Sequence, residues 1–258
     1  MAETLNPLTN RTGRALRALA SVGLLGLLVA CALVPARNPI AHWVPSPNYN
    51  ARQPILIVIH ATEQDSVKQA LKTLRTSNRG GRVSAHYLVG RSGKIYQLVS
   101  DRKRAWHAGA GRWGTITDVN SASIGIELDN NGRDAFAETQ VQSLIRLLAD
   151  LCRRYDIPRT QVIAHADMAP TRKQDPGARF PWASLAAAGF GRWPSEPLQE
   201  PPPGFDGLQA LRVLGYPMDD PQAAIRAFRR HFRGSESALT ELDVDDLRVL
   251  YALTVTPR

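Results

Sequence analysis

Three polar residues stand where apolar runs end or alternate: His60 after Ile55-Leu56-Ile57-Val58-Ile59, Glu127 within Ile124-Gly125-Ile126-Glu127-Leu128, and His165 after Gln161-Val162-Ile163-Ala164. Open α/β sheets bind ligands at the carboxyl ends of their strands, so the three are candidates for one shared site. A carboxylate flanked by a lysine and two rigidifying residues lies close behind, in Arg172-Lys173-Gln174-Asp175-Pro176-Gly177. Two imidazoles and one carboxylate, with a fourth position left for water, form the ligand set of a hydrolytic zinc centre. Such a metal acidifies water and polarises a carbonyl. The reaction needs two more groups, a base for the water's proton and a cation for the developing oxyanion; Glu127 and Lys173 are of the right types. Strand-end histidines also serve as hydrogen-bonded structural groups, and His86 and His107 offer further imidazoles, so spacing alone leaves the ligand set open.

The elements that would position these groups are legible in the hydrophobic pattern. The run over 55–59 is continuous and rich in β-branched residues, as in a central strand covered on both faces. Val67, Ala70, Leu71 and Leu74 recur at helical spacing. Tyr87 to Val89 and Ile95 to Val99 flank Gly90-Arg91-Ser92-Gly93, which predicts a hairpin. Ile124, Ile126 and Leu128 alternate with Gly125, Glu127 and Asp129, a strand with one apolar and one polar face. Val141, Leu144, Ile145, Leu148, Leu151, Cys152 and Tyr155 form the stripe of a long helix that ends near Ile157-Pro158. Strands alternating with helices predict an α/β fold, a mixed β-sheet flanked by helices on both faces. Residues 194–203 hold five prolines in ten positions and read as a stiff linker between a larger domain, 40–193, and a helical tail, 204–258.

Several separated blocks resemble one family in its own order: Ile57-Val58-Ile59-His60, Ser84-Ala85-His86-Tyr87, Trp106-His107-Ala108-Gly109, Ser123-Ile124-Gly125-Ile126-Glu127, and His165 through Arg172-Lys173-Gln174-Asp175-Pro176-Gly177 to Phe180-Pro181-Trp182. They are similar to the zinc-dependent N-acetylmuramoyl-L-alanine amidases of the AmpD/AmiD type, over about residues 40–190. The resemblance implies that His60, His165 and Asp175 bind Zn²⁺, that Glu127 is the general base and that Lys173 stabilises the transition state. It implies cleavage of the amide between N-acetylmuramic acid and L-alanine, with peptidoglycan and muropeptides as partners. His86 and His107 would then sit at the groove wall or behind the ligands; with Trp106, Asn120 and Arg172 they are candidate substrate contacts. His42 and His231 lie outside every block and are expected at the surface. The alternative from another class is a receptor that binds cell-wall fragments without cutting them, in which Glu127, Lys173 and Asp175 would be surplus.

Composition agrees with this range of readings. With 258 residues, 43% hydrophobic and 21% charged, the chain is ordinary globular material rather than disordered, collagen-like or polytopic membrane protein. A formal charge of +9 favours anionic partners. No nucleic-acid motif accompanies it, which leaves an acidic lipid or cell-wall polymer. Two cysteines exclude a disulfide scaffold. Gly109-Ala110-Gly111-Arg112-Trp113-Gly114 fits a dinucleotide fingerprint but lacks the preceding strand and following helix. Arg11, Arg14 and Arg17, the apolar run Ala18 to Ala30 and Leu28-Val29-Ala30-Cys31 resemble a bacterial lipoprotein signal. That implies removal of residues 1–30, a lipid anchor on Cys31, a tether over 31–39 and, since Ala32 is not aspartate, the periplasmic face of an outer membrane. An uncleaved anchor over 18–36 is the other reading. In the tail, Leu208-Gln209-Ala210-Leu211, Leu214-Gly215-Tyr216 and Ile225 to Arg230 resemble a small three-helix peptidoglycan-binding module, the other reading being a helical cap that packs on the larger domain; Arg226, Arg229, Arg230 and Arg233 are there to meet an anionic polymer or to form a solvated face.

Overall fold

The computed structural model describes residues 37–51, 53–78 and 81–255. The signal over 1–30, Cys31 and most of the tether therefore lie outside the described residues. A six-stranded sheet forms the centre, from β1 (His42–Trp43), β2 (Leu56–Ala61), β3 (Tyr87–Val89), β4 (Ile95–Gln97), β5 (Ser123–Leu128) and β6 (Val162–Ala164), in the order β1-β4-β3-β5-β2-β6. Strands β3, β5, β2 and β6 run parallel, β4 pairs antiparallel with β3 through the predicted hairpin, and β1 lies parallel to β4. All six residues of β2 are buried, as a continuous apolar run predicts.

Side chains alternate across the sheet, and the two faces have different work. Ile57, Ile59, Ile124, Ile126, Tyr87 and Val89 share one core with α3 (Glu138–Tyr155), whose Val141, Leu144, Leu148 and Leu151 are buried against it. The left-handed Asp156, φ 53°, ends that helix one residue before Ile157. On the opposite face Leu56, Val58 and Ile163 pack with Val119 of the short α2 (Val119–Ala122). Further along, Leu88 packs with Ala70 and Leu74 of α1 (Val67–Arg75). Helices therefore cover both faces, as expected. Cys152 is a buried free thiol.

The short α4 (His165–Met168) follows β6 directly, and α5 (Trp182–Ala187) follows the loop that carries Asp175. Residues 194–206 contain no helix or strand. The tail forms α6 (Gly207–Leu214), α7 (Pro221–Arg233) and α8 (Val244–Val255), the first two capped by the side chains of Asp206 and Asp220. The core is continuous from Ile57 to Leu253, so the tail packs on the sheet-bearing part. His231, expected at the surface, is only 5% exposed because its ring stacks on Trp182 with centroids 3.7 Å apart. His42 is exposed, as expected. Arg229, Arg230 and Arg233, read from the sequence as facing an anionic polymer or solvent, are instead paired within the tail with Asp246, Glu236 and Asp243. Among the described residues no helix is long and apolar enough to cross a membrane.

Candidate functional site

Parallel register places His60 directly beside Glu127 at the carboxyl ends of β2 and β5, and β6 delivers His165 as the first residue of α4. Asp175 closes the group from the following loop, held by a hydrogen bond from the Ala166 backbone N–H to its carbonyl, 3.0 Å. One ligand atom from each of His60, His165 and Asp175 falls within 4.8 Å of the other two, and all three residues are buried. The two Nδ1 atoms are 2.9 Å apart, and Asp175 Oδ2 lies 3.0 Å from that of His165 and 3.3 Å from that of His60.

The tautomers follow from what surrounds the rings. His165 Nε2 faces the Ala108 carbonyl at 2.9 Å and must carry the hydrogen, because a carbonyl only accepts. The Ser123 hydroxyl donates to the Val119 carbonyl at 2.5 Å and so accepts from His107 Nε2 at 3.2 Å. His107 Nδ1 is then an acceptor and takes the Nε2–H of His60 at 3.0 Å. Both inward Nδ1 atoms are left with lone pairs, facing a carboxylate and each other. Burial, then the neighbouring His165, pulls His60 down to about 4 against the attraction of Asp175, so a proton is a poor bridge at neutral pH. Burial pushes Asp175 upward, but when either ring carries a hydrogen on its inward nitrogen, the hydrogen bond and charge it offers outweigh burial and hold the carboxyl well below the usual range. A cluster of acceptors with outward N–H groups anchored to a carbonyl and a second ring fits a metal cation.

Glu127 is not part of that cluster. One of its carboxylate oxygens, Oε2, is shut off from solvent and has no hydrogen-bond partner among the described residues. Burial, reinforced by the charge of Asp175 and opposed by Lys173, pushes its carboxyl up to about 8. His60, Glu127, His165, Lys173 and Asp175 line a cavity of about 250 Å³, with Trp106, His107, Thr62 and Gln64 among its walls.

Of the five candidate substrate contacts, Trp106 and His107 line this cavity and three are placed elsewhere. His86 is fully buried; its Nε2 binds the Lys103 carbonyl and its Nδ1 accepts the Gly125 N–H. Asn120 uses its side-chain carbonyl to accept the backbone N–H groups of His107 and Ala108. Arg172 holds the carbonyls of Ala108 and Ala110 at 2.6 and 2.7 Å, clamping the loop that anchors His165. Sequence reasoning missed Ser123 and Gly125. A Cβ on Gly125 would stand 2.4 Å from His107 Cγ, so only glycine leaves the ring room. The signal was present: Ser123, Gly125 and Glu127 are the polar face of β5 at period two.

Residues 50–178 match the family Amidase_2, N-acetylmuramoyl-L-alanine amidase. The chain is 38% identical over 210 residues to the N-acetylmuramoyl-L-alanine amidase AmiD of Escherichia coli K12, covering 69% of this chain and 74% of that one. It is 34% identical over 166 residues to the 1,6-anhydro-N-acetylmuramyl-L-alanine amidase AmpD of Citrobacter freundii, covering 57% and 89%. Among solved structures, E. coli AmiD in complex with anhydro-N-acetylmuramic acid-L-Ala-D-γ-Glu-L-Lys superposes with a TM-score of 0.69 at 35% identity, over 79% of this chain and 89% of that one. AmpDh3 of Pseudomonas aeruginosa in complex with anhydromuramic pentapeptide gives 0.70 at 30% identity, over 84% and 97%. With half of its length matched by the family and three quarters of the E. coli relative covered, the chain belongs to the N-acetylmuramoyl-L-alanine amidase family.

Proposed function

We propose that the protein hydrolyses the amide bond between N-acetylmuramic acid and the L-alanine of the stem peptide, in peptidoglycan or its fragments, with Zn²⁺ held by His60 Nδ1, His165 Nδ1 and Asp175. The observation that carries this is the convergence of two lone-pair Nδ1 atoms and a carboxylate beside Glu127, whose buried Oε2 has no hydrogen-bond partner among the described residues, in a chain of this family. Bound there, zinc supplies Lewis acidity, polarising the scissile carbonyl and acidifying the attacking water.

The chain's own residues do the rest. Glu127, made basic by burial, takes the proton of the attacking water and returns it to the leaving nitrogen of L-alanine. Lys173, on the cavity wall, faces the negative charge that develops on the carbonyl oxygen. His107 and the Ala108 carbonyl fix the ring orientation of His60 and His165. Trp106 offers an aromatic wall for a sugar ring or an alanine methyl group.

The signal-like segment supports export and a lipid anchor on Cys31, with the enzyme on the periplasmic face of an outer membrane. Its motifs support residues 204–258 as the wall-binding part. Leu208 and Val213, exposed on α6, are the residues to replace by aspartate there; action on intact sacculi should fall while soluble fragments are still cut.

The deciding experiment follows a muropeptide of known structure by mass spectrometry with the purified protein, its chelated form, and the chelated form after Zn²⁺ is returned. Free stem peptide should appear, stop with the chelator and reappear with zinc. Binding without cleavage in all three would make the protein a receptor of cell-wall fragments.

A further inference from the structure

The turn that presents His165 is held from outside the sheet-bearing part. Asp167, third residue of α4, is fully buried, and its Oδ2 accepts the Ala164 backbone N–H at 2.8 Å, which fixes the turn immediately before His165. A buried carboxylate needs further partners. Both come from the tail: the Tyr216 hydroxyl donates to Oδ1 at 2.8 Å, and His231 Nδ1 meets Oδ2 at 2.6 Å.

These partners are themselves immobilised. Tyr216 is 3% exposed and packs edge-on against Trp113, while the His231 ring lies on Trp182. The seam is tight: a Cβ on Gly215 would stand 2.7 Å from the Trp113 ring, and the Gly114 N–H donates to the Gly215 carbonyl at 2.8 Å. The same turn also carries Ala166, whose N–H holds the Asp175 carbonyl. Two of the three candidate ligands thus depend on one four-residue turn, and that turn depends on Asp167.

We infer that Tyr216 and His231 are positioning residues of the metal centre, acting through Asp167, so that the C-terminal helices are a structural part of the metal site as well as a candidate wall-binding surface. This rests on the metal reading of His60, His165 and Asp175 given above. Because a metal site tolerates little displacement, loss of supports behind its ligands lowers affinity by about tenfold or more.

The test measures Zn²⁺ affinity of the full chain by competition with a chromophoric chelator, and the visible spectrum of the Co²⁺-loaded protein, for Tyr216→Phe, His231→Gln and Asp167→Asn. Tyr216→Phe removes one hydroxyl and keeps the packing. Gly207→Ala is the control: its Cβ would crowd Leu242 and Leu247 within the tail and leaves Asp167 alone. The three variants should bind zinc about tenfold more weakly and shift the Co²⁺ bands, while Gly207→Ala binds like wild type. Folded variants that hold zinc as tightly as wild type would overturn the inference, as would equal weakening in Gly207→Ala. A wild-type chain that binds no zinc would overturn the metal reading itself.

Discussion

Gly125→Ala isolates the hydrogen-bond chain behind His60. The new Cβ would fall 2.4 Å from His107 Cγ and 2.6 Å from both Cδ2 and Nδ1. Carbon atoms rest at about 3.5–4.0 Å, so the ring must retreat by roughly 1 Å. The His60 Nε2 to His107 Nδ1 distance is 3.0 Å. Lengthened to about 4 Å it is no longer a hydrogen bond, and His60 loses the contact that keeps its Nδ1 free of hydrogen and aimed inward. Two costs follow and can be measured separately. Overpacking should destabilise the metal-free fold by about 1–3 kcal/mol, read from denaturant midpoints. Zinc affinity should fall by about 10–100-fold, read by chelator competition. The double variant Gly125→Ala/His107→Ala removes the clash without restoring the hydrogen bond, so its zinc affinity should stay as low as that of the single variant. If Gly125→Ala lowers stability as expected yet binds zinc within twofold of wild type, the ring does not hold His60 and the argument fails.

Other perturbations address the remaining groups. Glu127→Gln keeps the shape of the side chain but not its basicity; turnover should drop by about 10²–10⁴-fold while zinc content stays that of wild type, and a normal rate would remove Glu127 from the chemistry. Lys173→Met should lower turnover by about 10²–10³-fold with little change in zinc binding, tested on the same muropeptide. Burial pushes the Cys152 thiol up to about 11. The unfolded chain therefore loses this proton first, and the contribution of Cys152 to stability, complete below pH 9, should decline as the pH rises from 9 towards 11. The stability difference between wild type and Cys152→Ala should drift accordingly, and a difference independent of pH would contradict the shift. Asp246→Ala strands the buried Arg229 guanidinium and should cost about 3–5 kcal/mol, seen as a lower melting temperature.

The candidate site was largely readable before any coordinates, for a geometrical reason. Ligands borne at the carboxyl ends of parallel strands need only that the strands be neighbours, and a continuous apolar run ending in a polar residue announces such an end. His60 and His165 were visible in that way, and the alternation along β5 exposed Glu127. Residues whose role is set by partners far away in the chain were not. His231 in an arginine-rich helix resembles a surface residue until Trp182 and Asp167, 64 positions from His231 in the latter case, cover it. An amphipathic stripe announces a buried face but not what lies against it. Arg172 and Asn120 were offered to substrate because both are polar and lie near the motifs, yet their groups satisfy backbone atoms of the loop over 107–110. That loop has no periodic signal, and its need for hydrogen bonds cannot be anticipated from residue types.

Of the carboxylates that line this cavity, Asp175 and Glu127 have surroundings that drive them apart. Asp175 shares its Oδ2 with two imidazole nitrogens, and a hydrogen or cation held among the three keeps it anionic, the state a metal ligand requires. Glu127 has neither histidine on it; burial raises it to about 8, and one oxygen stays unpartnered, which leaves it able to accept a proton and to release it near neutral pH. Divergent environments for paired acids mark divided labour in catalysis. A protein that only held a cell-wall fragment would need the metal cluster for polarisation at most, and a buried carboxylate with an unsatisfied oxygen would be a cost to its stability without return. Placing such a group in register with His60, on the strand whose glycine makes room for His107, is explicable if Glu127 moves protons between water and the leaving amine. The pair therefore argues for hydrolysis rather than recognition, and Glu127→Gln, with zinc retained, is the substitution that separates the two.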